Sequence, residues 1–299
     1  MTKTLHGRGA ARYWLFEPAD PVPASAPLIA MLHGWAEINP QPYGAWIEHL
    51  VRQGNIVVFP RYQNDALTLP DRFTDHAAEA ISDAVTVLQQ DGHVMPDLAR
   101  FALVGHSVGG NVAANLAARG SADGLPHAGA LLCAHPGINA IVPLEDMSRI
   151  RADTLVLTIT GDRDHITGKA DARRIYQGAT PVPAERKNFV VLQSDRHGKP
   201  ALVADHAAPL AMDKAYDSGV MKAVGRGRKP PMLSFHLPWH RAPDALDYYG
   251  YWRLFDALCD AAFEGRHIEY ALGNTPQQRD MGTWSDGVAV KELVVVEQP

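Results

Sequence analysis

Between residues 27 and 194 the chain alternates two kinds of pattern. The runs PLIAMLHGW, NIVVFPRY, RFALVGHS, HAGALLCAHPG, DTLVLTITGD and NFVVLQSD are mostly apolar at successive positions, as strands covered on both faces must be. Between the second and third lies DHAAEAISDAVTVLQQ, whose Ala77, Ile81, Ala84, Val85 and Leu88 recur at three- and four-residue spacing and predict an amphipathic helix. The Ala-rich VGGNVAANLAARG predicts another, stopping at Gly120. Strands interleaved with helices imply an α/β fold, a mostly parallel sheet with helices on both faces.

Outside that stretch the pattern changes. Residues 199–243 are rich in Pro, Gly and His with little periodicity, whereas Tyr248, Trp252, Phe255, Cys259 and Ala262 form one helical stripe. GTWSDGVAVKELVVV reads as turns and a final strand. The expectation is one domain over 1–299. Within it, 199–243 is an irregular insertion that packs over something, a candidate lid walled by Met221, Met232, Phe235 and Trp239.

Charge narrows the partners. Lys and Arg number 28 against 33 Asp and Glu, a formal charge of −5, which gives no electrostatic case for nucleic acid. The basic cluster Arg226, Arg228 and Lys229 sits among Gly and Pro and reads as a solvated loop. No window approaches ~18 uninterrupted apolar residues, so no membrane span is expected. MTKTLHGRGAARYW has no secretory pattern, and the expected location is cytoplasmic. The two cysteines, Cys133 and Cys259, fall in apolar patterns as buried thiols.

Chemistry enters at Gly105-His106-Ser107-Val108-Gly109, a G-x-S-x-G motif with a strand before it and a helix after it. That setting lifts a serine onto a sharp turn, with helix N-terminal N–H groups near its oxygen. GHSVGG resembles the nucleophile elbow of the α/β-hydrolases, in the G-H-S-x-G-G form of esterases and lipases, and the resemblance extends in strand order over residues 10 to 200 and to the terminal helix. It implies a triad in the chain order Ser, acid, His. It also implies an oxyanion hole made by the main-chain N–H groups of Trp35, after His33-Gly34, and Val108. His33 itself reads as a structural hydrogen-bonder.

In such proteins the acid often lies in a G-x-x-D loop, which maps onto Asp164 in Gly161-Asp162-Arg163-Asp164, with Asp162 as the competitor. Fourteen histidines compete for the third place. His197 follows NFVVLQS within three residues beside Gly198 and is preferred as the general base; His206 is its rival. His135, at another strand end, is a pocket-lining candidate. His236 and His240 lack the companions of a zinc site and read as structural, so neither a metal nor an organic cofactor is expected.

About sixteen residues separate Gly137 from Thr154, too few for a large helical cap. This compact layout resembles the dienelactone hydrolases, although serine stands where they carry cysteine. The expected activity is hydrolysis of a small-molecule carboxylic ester through an acyl-enzyme. The alternatives are an acyltransferase or serine peptidase using the same triad, and a catalytically silent hydrolase-like binding protein. A Rossmann-type nucleotide binder is disfavoured, since no G-x-G-x-x-G follows the first strand.

Overall fold

A computed structural model describes residues 1–64, 68–219 and 242–297. Nine strands among these form one sheet in the order β1-β2-β4-β3-β5-β6-β7-β8-β9. They are β1 (Thr2–His6), β2 (Tyr13–Glu17), β3 (Ser25–Leu32), β4 (Ile56–Pro60), β5 (Met95–His106), β6 (Ala128–Ala134), β7 (Leu155–Gly161), β8 (Lys187–Leu192) and β9 (Val294–Val295). Strands β3 to β8 are parallel, and β2 and β9 pair antiparallel at the two flanks. The six apolar runs are β3 to β8; the final strand is only two residues long.

Burial on both faces explains the unbroken apolar runs. On β3, Ile29 and Met31 join one core with Trp46, Ile47 and Leu50 of α1 (Gly44–Arg52) and Phe255 and Leu258 of the C-terminal helix. Leu28, Ala30 and Leu32 join the other, with Ile81 and Leu88 of α2 (Phe73–Leu88) and Val112 and Leu116 of α3 (Val108–Arg119). Helix α3 stops at Gly120, whose φ is +45°. From β7 the chain reaches β8 through α4 (Ala170–Gly178). Between β6 and β7 the connection holds only a short 3₁₀ turn, Met147–Arg149, and no helical cap. All six parallel strands deliver their C-terminal ends to one edge, where the loops of such sheets carry ligands.

Two expectations are refined. The first part of the 199–243 insertion packs into the fold: Leu202, Ala204, Ala207, Ala208, Leu210 and Ala211 are buried in the core beside α1. Its backbone is tied in by Arg163 N–H to Ala204 O (3.0 Å) and Ala45 N–H to Ala211 O (3.0 Å). Met221, Met232, Phe235, Trp239, His236, His240 and the Arg226, Arg228 and Lys229 cluster lie outside the described residues. The C-terminal stripe also shifts. Leu246–Trp252 winds as a π-helix before α5 (Arg253–Glu264), so Tyr251 turns inward and Tyr248 is left 52 % exposed. Among the described residues no helix is long and apolar enough to cross a membrane.

Candidate active site

The corner after β5 is built by close approach. Ser107 has φ +58° and ψ −129°, a conformation that L-residues hold only where the surroundings impose it. A Cβ on Gly105 would lie 2.1 Å from Gly109 O, and one on Gly109 would lie 2.3 Å from Leu32 O and 2.4 Å from His33 O. Both glycines are therefore needed because α3 starts against the ends of β5 and β3. The corner is pinned by Ser107 N–H to Ala134 O (3.0 Å) and Gly110 N–H to Ser107 O (2.8 Å).

The imidazole at this serine belongs to His206, whose Nε2 lies 3.0 Å from Ser107 Oγ. His206 Nδ1–H donates to Asp164 Oδ2 at 3.1 Å, and both side chains are buried. His197, the preferred candidate, is elsewhere: its side chain is 41 % exposed and its Nε2 pairs with Asp286 at 2.7 Å. The cause is a narrow excursion after β8, closed by mutual Asp195–Leu202 backbone hydrogen bonds of 2.9 and 2.8 Å. It carries His197 outward and returns the chain so that His206 reaches the sheet edge. Gly198 lacks a side chain for packing, since a Cβ there would meet the Trp284 ring at 2.2 Å.

Asp164 follows β7 and collects five hydrogen bonds. Oδ1 accepts the N–H groups of Ile166 (2.9 Å) and Thr167 (3.0 Å); Oδ2 accepts from His206 Nδ1, His135 Nδ1 (2.8 Å) and Thr167 Oγ1 (2.7 Å). Burial pushes this carboxyl up, but the hydrogen bonds from His135 and His206 outweigh it and hold the group well below the usual carboxylate range. The competitor Asp162 instead accepts Ser194 N–H (3.1 Å) and Oγ–H (2.5 Å), fastening the end of β7 to that of β8.

Behind the corner, Gly34 N–H donates to Tyr43 Oη (2.8 Å) and Glu37 Oε2 (3.0 Å), and the Tyr43 hydroxyl lies against Glu37 and 2.8 Å from His106 Nδ1. His106 Nε2–H donates to His206 O at 2.8 Å. One buried chain of contacts thus joins the loop after β3 to the loop that carries His206. In the former loop, Ala36 N–H is taken by Gln63 Oε1 (2.8 Å), whereas the N–H groups of Trp35 and Val108 have no acceptor among the described residues. His33 is fully buried, its ring nitrogens 2.6 Å from Gly34 O and 2.7 Å from Arg61 O.

Among the described residues, one group brings metal-ligand types together: His135, Asp164 and His206, with atoms within 4.8 Å. Each of those atoms is already matched, imidazole N–H to carboxylate oxygen, so the cluster reads as a hydrogen-bond relay rather than a metal centre. Tyr251 and Thr167 were not distinguished by sequence; nothing in a helical stripe or a loop threonine marks them.

The sequence model of the Chlorophyllase family matches residues 16–147. The matched stretch contains the loop after β3 and the Ser107 corner, and stops before Asp164 and His206. No curated protein matches the chain.

Proposed function

We propose that this chain, an α/β-hydrolase by its sheet and its family match, is a serine esterase with the triad Ser107, His206 and Asp164. The observation that carries the reading is a serine at a positive-φ corner with an imidazole nitrogen 3.0 Å from its oxygen and a carboxylate 3.1 Å behind that imidazole. The family match supports ester hydrolysis. It is taken no further toward a substrate, because the acid and base lie beyond the matched residues.

In this mechanism His206 Nε2 takes the Ser107 proton as Oγ attacks the ester carbonyl carbon. The carbonyl oxygen, now negative, is held by the Trp35 and Val108 N–H groups, each contributing about 3–4 kcal/mol in the transition state. The imidazolium, steadied by Asp164, gives its proton to the departing alkoxide, and the acyl group stays on Ser107. Water, deprotonated by His206, then attacks the acyl-enzyme, and the acid leaves as Ser107 regains its proton. No step requires a metal or organic cofactor.

A fluorophosphonate probe should label the wild type and fail to label Ser107→Ala, with ester turnover falling on the order of 10⁶-fold. A panel of p-nitrophenyl esters beside peptide and acyl-acceptor substrates separates hydrolysis of esters from peptidase and transferase activity. A wild type that resists the probe would leave only a ligand-binding role for the fold.

A further inference from the structure

The loop after β6 repeats a feature of the loop after β5. His135 immediately follows β6 as Ser107 follows β5, and it too is a non-glycine residue in the left-handed region, with φ +49°. Such strain persists only where the surroundings impose it, and it clusters at working sites. The His135 side chain is fully buried. Its Nδ1 lies 2.8 Å from the same Asp164 oxygen that His206 uses, and its Nε2 lies 2.6 Å from the hydroxyl of Tyr251. Tyr251 reaches it from the π-helical turn Leu246–Trp252, which packs so closely on β8 that a Cβ at Gly250 would stand 2.8 Å from a Leu192 methyl.

The protons in this row can be placed by counting donors. An ionised Asp164 only accepts, so both imidazoles present N–H at Nδ1. His135 Nε2 is then an acceptor and takes the Tyr251 O–H; His206 Nε2 is likewise an acceptor and takes the Ser107 O–H. Hydrogen bonds therefore run inward to one carboxylate oxygen from two ends, serine on one side and tyrosine on the other.

We propose that His135 is a positioning residue of the catalytic relay, dividing the charge of Asp164 Oδ2 between two imidazoles, while Tyr251 fixes the tautomer in which it can do so. The inference rests on the reading of Ser107, His206 and Asp164 as a triad. A neutral N–H on Oδ2 draws on charge that would otherwise go wholly to the imidazolium formed at His206 during the reaction. Burial pushes His135 itself down to about 4, against the pull of Asp164, which keeps it a neutral donor. Among the described residues, the polar groups facing His206 and Asp164 are His106 from β5 (ring centroids 4.9 Å from His206), with Tyr43 and Glu37 behind it, Thr167, and His135 with Tyr251.

The test is the pH profile of phosphonylation by a fluorophosphonate, which needs no knowledge of the ester substrate. His135→Asn keeps an N–H near the position of Nδ1 and tolerates a positive φ, whereas His135→Leu offers no donor. The Leu variant should move the acid limb up by about 0.5–1 pH unit and lower the plateau roughly tenfold as Asp164 loses a hold. The Asn variant should keep the wild-type limb. Tyr251→Phe leaves the backbone of His135 alone and should shift the limb in the same direction by less, which decides the matter if the Leu variant does not fold. Acid limbs that coincide in all the folded variants would overturn the proposal and reduce His135 to packing. A wild type that takes no label would instead remove the triad reading itself, and this proposal with it.

Discussion

Two histidine variants set the sharpest test of the site. His206→Ala removes a side chain whose Nε2 and Nδ1 are 3.0 Å from Ser107 Oγ and 3.1 Å from Asp164 Oδ2. His197→Ala removes an imidazole at the surface whose ring partner, Asp286, is exposed as well. If His206 is the base, its loss leaves Ser107 with no group to take its proton, and triad members act as a unit, so kcat falls by roughly 10⁶-fold. At 1.36 kcal/mol per decade that is about 8 kcal/mol of transition-state stabilisation, far more than one buried hydrogen bond contributes to folding. The His206→Ala protein should keep its fold, since Asp164 retains four of its five hydrogen bonds. His197→Ala should change turnover by less than about twofold. The assay is ester hydrolysis beside fluorophosphonate labelling, with circular dichroism to confirm folding. A folded His206→Ala that still labels, or a His197→Ala that does not, would refute the assignment.

Two further outcomes follow from the packing and the buried titrating groups. Gly109→Ala drives a Cβ into two backbone oxygens at 2.3 and 2.4 Å, so it should cost about 3 kcal/mol or more and displace the Val108 amide, whereas Gly129→Ala, whose Cβ would find its nearest neighbour at 3.4 Å, should leave the melting temperature nearly unchanged; thermal melts of both check this. His33 and His135 are pushed down to about 4 by burial, so the unfolded chain binds their protons first: their stabilisation is whole at pH 7 and is lost as pH falls from about 6.5 toward 4, at about 3 kcal/mol each. Urea midpoints that stay level between pH 7 and pH 5 would contradict it.

What the sequence made legible is what depends on neighbours along the chain. A strand buried on both faces, a helix with one apolar stripe and a glycine-flanked serine between them are local patterns, and β3 to β8, α2, α3 and the Ser107 corner follow from them. The site's histidine depends on the path of the chain. Proximity to β8 and a neighbouring glycine favoured His197, yet both features belong to an excursion held shut between Asp195 and Leu202. No periodicity announces that bridge. Asp162 and Asp164 were separable only by where each points, one to Ser194 and the other to two imidazoles. The π-turn that brings Tyr251 to His135 escaped for a related reason: the 3.6-residue period assigns Tyr248 to the inside, and one wider turn moves the tyrosine that matters by three positions.

Strain along the sheet edge that carries Ser107 ties these residues together. Ala36, Tyr62, Ser107 and His135 all have positive φ, and they stand just beyond the C-terminal ends of β3, β4, β5 and β6, four adjacent parallel strands. Each such residue costs on the order of 1–3 kcal/mol, and the folded chain offsets the cost with specific contacts at the same places. Ala36 N–H reaches Gln63, Tyr62 stacks on His33 with ring centroids 4.1 Å apart, Ser107 N–H reaches Ala134, and His135 bonds at both ring nitrogens. These contacts leave the backbone little freedom at the points where Ser107, the loop after β3 and His135 hold their relative positions. A hydroxyl can serve as a nucleophile only while its partners stay within hydrogen-bond reach, and a row of strained corners, each held by its own contact, keeps Ser107, His206 and Asp164 within it.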